Sequence, residues 1–234
     1  MPYSAVAFLS VFIMQLVHIF AGKTALLDRA KHGRLLSACG GTAIAYVFID
    51  LLPKLAKGAE LVQTTFSGII PYIEEHVYVM ALLGFLLFFT VDKCRSSLPK
   101  KSSFYLSMCS YALFNFLVGY AVVDKDNPEV QPLILFTFAM ALHLFVNGYN
   151  LSLSYGQLYN RPGKWILMTS LFLGWLLGIY ISLPEAPVAL VSAFIGGGII
   201  MNVIRHELPG DSPHSLGAFL TSSLLYAALL LAVG

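Results

Sequence analysis

Four polar side chains, His143, Asn147, Asn150 and Ser154, follow one another at i, i+4, i+7 and i+11 in an otherwise apolar stretch. On a helix that spacing places them along one narrow face. An imidazole can ligate a metal or carry a proton, and amides and hydroxyls can replace part of a solute's hydration shell. The preceding apolar stretch holds Asn115 near its middle and is a copy of the same pattern. Ala112-Leu113-Phe114-Asn115-Phe116-Leu117-Val118-Gly119-Tyr120 returns as Ala141-Leu142-His143-Leu144-Phe145-Val146-Asn147-Gly148-Tyr149. Polar groups inside apolar segments cost free energy unless they face a partner or a path. Two roles fit: hydrogen-bond glue between helices, with Gly119 and Gly148 allowing close packing, or the lining of a path through a membrane.

The elements that hold these residues follow from composition. At 58% hydrophobic and 11% charged residues over 234, with mean hydropathy +0.78, the chain has too little polar surface for a water-soluble globule. Crossing the hydrocarbon takes about 20 apolar residues per helix. Eight such segments are expected, near 4–21, 35–53, 76–91, 104–123, 132–155, 165–183, 187–204 and 216–233. This predicts an all-α, multi-pass membrane protein forming a single domain, residues 1–234. The longest connection is expected from Lys54 to Glu75, after Pro53 ends the second helix.

Charge predicts orientation. Alternate loops collect Lys23, Arg29, Lys31, Arg34, Lys93, Arg95, Lys100, Lys101, Arg161, Lys164 and Arg205, leaving only Lys54, Lys57 and Lys125 for the other side. The basic side is expected to be cytoplasmic, with both termini non-cytoplasmic. No basic residue precedes the first segment and no small-x-small cleavage site follows it, so it is expected to remain as a span. Cys39, Cys94 and Cys109 have no CxxC spacing and predict neither a disulfide frame nor a thiolate metal site. No basic stripe interleaved with aromatics suggests nucleic acid.

A second internal match joins the second and seventh segments. Gly41-Thr42-Ala43-Ile44-Ala45-Tyr46-Val47-Phe48-Ile49-Asp50-Leu51-Leu52-Pro53 aligns with Gly197-Gly198-Ile199-Ile200-Met201-Asn202-Val203-Ile204-Arg205-His206-Glu207-Leu208-Pro209, with identical residues at Gly41, Ile44, Val47, Leu52 and Pro53. The matched helices are expected to run in opposite directions. The two matches nest as an inverted repeat, helices 1 to 3 mirroring 6 to 8 and helix 4 mirroring 5. Such a 3+2+3 arrangement is a transporter signature, with the site near the midplane. The plainer explanation, chance similarity between Leu- and Gly-rich helices, has to account for both matches at once.

Over essentially its whole length the chain resembles the ZIP family of divalent metal transporters. Gly40-Gly41 through Asp50-Leu51-Leu52-Pro53 is similar to that family's second helix, and Ala81-Leu82-Leu83-Gly84-Phe85-Leu86-Leu87-Phe88-Phe89 to its third. The family's helix 4 typically reads His-Asn-x-x-Asp-Gly, and the matching stretch here is Phe114-Asn115-Phe116-Leu117-Val118-Gly119. Its helix 5 reads His-Glu-x-x-His or Glu, against His143-Leu144-Phe145-Val146-Asn147-Gly148. The resemblance implies a transported divalent cation, such as zinc, manganese or iron, and a homodimer. It implies no resident cofactor. It places the metal path at Asn115, His143 and Asn147, while the usual ligands are replaced by Phe114, Val118 and Leu144. No carboxylate remains at the centre, so the expected site is weak.

Outlying groups are expected to matter less. His206, Glu207, Asp211 and His214 offer a cytoplasmic staging point for a metal, although their spacing fits a solvated loop better. The acidic run Asp124-Lys125-Asp126-Asn127-Pro128-Glu129 suits a turn as well as a cation funnel. His18, Tyr120 and Tyr149 are expected to cap or pack. The histidine-free loop Asp92–Lys101 is expected to anchor at the membrane surface. Three roles stand: a ZIP-like carrier with a weakened site, a transport-inactive partner protein of the same fold, and a carrier of a neutral or anionic solute. No paired carboxylates, activated nucleophile or HExxH motif suggests an enzyme.

Overall fold

The computed structural model describes residues 2–25, 33–66, 76–123, 128–206 and 215–233. Among these, every regular element is helical, and eight helices are long and apolar enough to cross a bilayer. They are α1 (Tyr3–Thr24), α2 (33–66), α3 (His76–Arg95), α4 (Lys100–Ala121), α5 (Val130–Tyr155), α6 (Tyr159–Tyr180), α7 (Glu185–His206) and α8 (Leu216–Val233). Large apolar side chains such as Phe8, Phe12, Leu82, Leu224 and Leu231 point outward from the bundle. This is compatible with a multi-pass integral membrane protein, since lipid can cover such side chains at no hydrophobic cost.

The second helix does not stop at Pro53. A π-helical turn, Val47–Leu51, connects Gly33–Tyr46 to a further α-helical stretch, Leu52–Phe66. The Leu52 amide donates to the Val47 carbonyl, five residues back. This widened turn makes room for a proline ring that would clash with a regular α-helical carbonyl, so Pro53 enters the resumed helix near its start, where it needs no amide hydrogen. The expected connection from Lys54 is therefore helical as far as Phe66. A second π-helical turn, Tyr159–Gly163, takes in Pro162 at the start of α6. Between α5 and α6 the chain reverses at Gly156, whose φ of 55° and ψ of −118° suit a residue without a Cβ.

The helices pack mainly in four couples: α1 with α5, α2 with α8, α3 with α7, and α4 with α6. Glycine sets the approach in three of them. A methyl group on Gly84 would overlap the Phe194 carbonyl oxygen, and one on Gly197 would overlap that of Ala81, so α3 and α7 interlock reciprocally. Gly119 and Gly174 do the same between α4 and α6, against the carbonyls of Leu171 and Phe116. Gly41 meets the Phe219 carbonyl where α2 crosses α8. Without a hydrophobic force between helices in lipid, such close backbone contact is a main source of cohesion.

Because these contacts are with backbone, no rotamer change can relieve them. Gly197→Ala and Gly174→Ala are each expected to lower stability by about 1–3 kcal/mol. Gly217→Ala, where nothing lies within 4 Å, should leave stability unchanged or slightly raised. Thermal unfolding of the purified protein in detergent checks this, and equal effects at all three positions would contradict it.

Candidate functional site

Helices α4 and α5, which carry the repeated pattern, are not one of the close couples; side chains join them instead. The Phe114 ring lies 5.7 Å from that of His143, and Phe104 lies 5.4 Å from Tyr155. The Ser103 and Ser107 hydroxyls sit 2.9 and 2.7 Å from the Tyr155 hydroxyl. The three positions where the resemblance expects further ligands are closed apolar core: Phe114, Val118 and Leu144 are all inaccessible to solvent. Gly119 faces α6, and Gly148 faces Ala21 of α1 and the Tyr159 hydroxyl. Both glycines admit neighbours from outside the α4–α5 interface.

The polar stripe of α5 runs from core to surface. His143 and Asn147 are fully buried, Asn150 is half-buried and Ser154 is exposed. At 1.5 Å per residue this spans about 16 Å. Ser154 opens into a cleft of about 410 Å³ formed by the ends of α3, α4, α5 and α7. A larger cleft of about 630 Å³ opens at the other ends of the helices, where Tyr46, Lys54, Tyr120, Glu129 and Glu185 line it. It reaches inward to Phe136 on α5 and Ile199 on α7. His143 is two turns beyond Phe136, and Asn202 one turn beyond Ile199, so the buried polar residues occupy the stretch between the two clefts.

The polar groups of this centre divide into satisfied and unsatisfied. Asn115 Nδ2 donates to the Tyr111 carbonyl at 2.8 Å, which turns its Oδ1 toward His18 Nε2, also at 2.8 Å. An amide oxygen only accepts, so Nε2 of His18 carries the hydrogen and Nδ1 keeps its lone pair. That Nδ1 is buried with no partner among the described residues. The Tyr111 hydroxyl donates to Asn202 Oδ1 at 3.0 Å, tying α4 to α7. Asn147 is different, because both its Nδ2 and its Oδ1 are buried without a partner among the described residues.

His18 and Asn202 are therefore members of the centre that residue spacing did not single out. Only the folded bundle brings His18 to Asn115 and Asn202 to Tyr111. Tyr120 does more than pack: its hydroxyl donates to the Ile181 carbonyl at 3.3 Å and accepts from the Leu183 amide at 3.0 Å. Glu207, Asp211 and His214 lie outside the described residues, as does the acidic run 124–127, and of His206 only the backbone is described, at the end of α7. Among the described residues no three His, Cys, Asp or Glu side chains gather into a metal-binding group. No protein-family model matches the chain, and no curated protein matches it.

The hydrogen bond between His18 and Asn115 is expected to couple α1 to α4. A double-mutant cycle of His18→Ala and Asn115→Ala, read by denaturant unfolding in detergent micelles, should give a coupling of about 1 kcal/mol. Strict additivity would mean that the two side chains do not interact.

Proposed function

We propose that this chain is a secondary membrane carrier of ZIP-like build, whose cargo passes the buried centre formed by His18, Asn115, His143, Asn147 and Asn202. The observation that carries this reading is Asn147. Hydrogen-bond glue requires partners, yet this amide is sealed in the bundle with both ends unpaired among the described residues, one turn from His143. Leaving such a group unsatisfied costs about 1–3 kcal/mol. A permeating solute that bonds to it in passing gives the cost a purpose. By contrast, Asn115 works as glue through its bonds to His18 and Tyr111. The clefts at opposite helix ends, with an occluded centre between them, suit alternating access.

The packing supports the 3+2+3 inverted repeat. If helices 1 to 3 correspond to 6 to 8 and helix 4 to 5, the couple α1–α5 maps onto α6–α4, and α2–α8 maps onto α7–α3. Gly41 and Gly197, which align in the repeat, each receive a carbonyl from the partner helix that this mapping requires. In our reading the basic helix ends face the cytoplasm and both termini lie on the other side.

The first cargo to test is a divalent metal, zinc, manganese or iron(II), which His18 Nδ1, His143 and amide oxygens would meet as a weak, uncharged ligand set. The shortage of carboxylates at the centre favours a second reading, a small neutral solute held by amides. Uptake into proteoliposomes separates the two. Under the metal reading, uptake is saturable, His143→Ala abolishes it, and Val118→Asp or Leu144→Glu tightens metal binding. Metal binding unchanged by both acidic substitutions would remove the metal reading.

Asn147→Leu tests the carrier reading itself, whichever cargo is found. It should abolish uptake while keeping or raising the thermal midpoint, because an unsatisfied buried amide is replaced by an apolar side chain of similar size. Retained uptake in this variant, or loss of fold, would overturn the assignment of Asn147 to the path.

A further inference from the structure

The cleft at the basic ends of the helices has a charge that the carrier reading does not use. Lys93 and Arg95 come from the end of α3, Lys100 from the start of α4, and Arg205 from the end of α7. Asp92 is the acidic residue lining it. The Asp92 carboxylate is buried between two guanidiniums, 2.9 Å from Arg95 and 2.8 Å from Arg205, and so is already shared. Lys93 lies over the Phe89 ring, 5.6 Å from its centroid. Neither Lys93 nor Lys100 has a carboxylate partner among the described residues. Among the described residues, four cations against one carboxylate leave a strong positive excess in one concave space.

The start of α4 adds to that excess. Pro99 at its N-cap offers no side-chain acceptor, and the first turn holds Lys100 and Lys101 with no acidic residue. A helix N-terminus carries a partial positive charge and favours acidic residues, so two lysines there oppose the dipole. The amides of Lys100, Lys101 and Ser102 precede the first backbone bond of this helix, from Ser103 to the Pro99 carbonyl, and remain free to donate. The Ser96, Ser103 and Ser154 hydroxyls also line the cleft. Cationic side chains lining one space beside a helix N-terminus form a site for a compact anion.

We infer that this cleft binds a phosphomonoester group. Such a group carries close to two negative charges and several acceptor oxygens, which suits the excess charge better than a single carboxylate or a phosphodiester. The cleft lies at the helix ends, where a lipid headgroup can enter from the side and a soluble phosphate ester from the water. The inference does not rest on transport. If the carrier reading holds, the bound anion sits at the mouth of the polar stripe, because Ser154 belongs to both.

The test uses the full chain in phosphatidylcholine nanodiscs, alone, with phosphatidic acid, or with phosphatidylserine, and in a separate arm titrates glycerol 3-phosphate into the pure phosphatidylcholine discs. Phosphatidic acid should raise the thermal midpoint more than phosphatidylserine does. The double variant Lys93→Gln/Lys100→Gln should weaken binding by about tenfold or more. Lys164→Gln, a basic residue outside the cleft, should bind as the native chain does. Stabilisation by phosphatidic acid alone identifies a lipid headgroup; stabilisation by glycerol 3-phosphate as well identifies soluble phosphate esters. Equal response to both lipids, no response in either arm, or an equal loss in Lys164→Gln would overturn the site. The midpoint of the double variant in pure phosphatidylcholine separates lost binding from lost folding.

Discussion

Everything else in this bundle depends on how closely its helices approach at glycine. Where Gly84 meets the Phe194 carbonyl and Gly197 meets that of Ala81, backbone rests against backbone, and the same holds for Gly119 and Gly174 between α4 and α6. These contacts work in lipid, where burial of apolar surface no longer drives association. By coupling α4 to α6, while α5 packs on α1, they leave α4 and α5 joined through side chains. The space between those two helices can then hold polar groups without breaking the scaffold.

Within that space the main constraint is hydrogen-bond satisfaction. Asn115, His18, Tyr111 and Asn202 form pairs that tie α1 and α7 to α4. The pairs hold the centre in register, while His18 Nδ1 and Asn202 Nδ2 stay buried without a partner among the described residues. Asn147 is left out of this network, with both ends of its amide buried and without a partner among the described residues. Phe114, Val118 and Leu144 are fully buried apolar core, with the Phe114 ring against that of His143.

The two helix ends differ in charge as well as in shape. The larger cleft mixes Lys54, Lys57, Glu129 and Glu185 with tyrosines, whereas the smaller one concentrates Lys93, Arg95, Lys100 and Arg205 around a single carboxylate. Asp92 holds the ends of α3 and α7 together through Arg205, with Arg95 of its own helix as a second partner, so the α3–α7 couple is locked by glycine contact along its length and by an ion cluster at one end. The polar stripe of α5 reaches this same end through Ser154.

The amino-acid sequence alone determined the eight helices, because each apolar run is long enough to cross a bilayer and is separated from the next by charge, proline or glycine. It also contained the α5 stripe, since i, i+4 spacing is a local property of one helix. The extension of α2 through Pro53 was hidden, because a π-helical turn that accommodates proline has no distinct residue signature. The pairing of His18 with Asn115, and of Tyr111 with Asn202, was decided only by tertiary structure. Those partners lie on different helices, 97 and 91 residues apart, and nothing in either segment's periodicity points to the other. Which asparagine is glue and which is left open was settled the same way. Asn115 and Asn147 look alike in the chain, but whether a buried amide is satisfied depends on what the neighbouring helices bring to it.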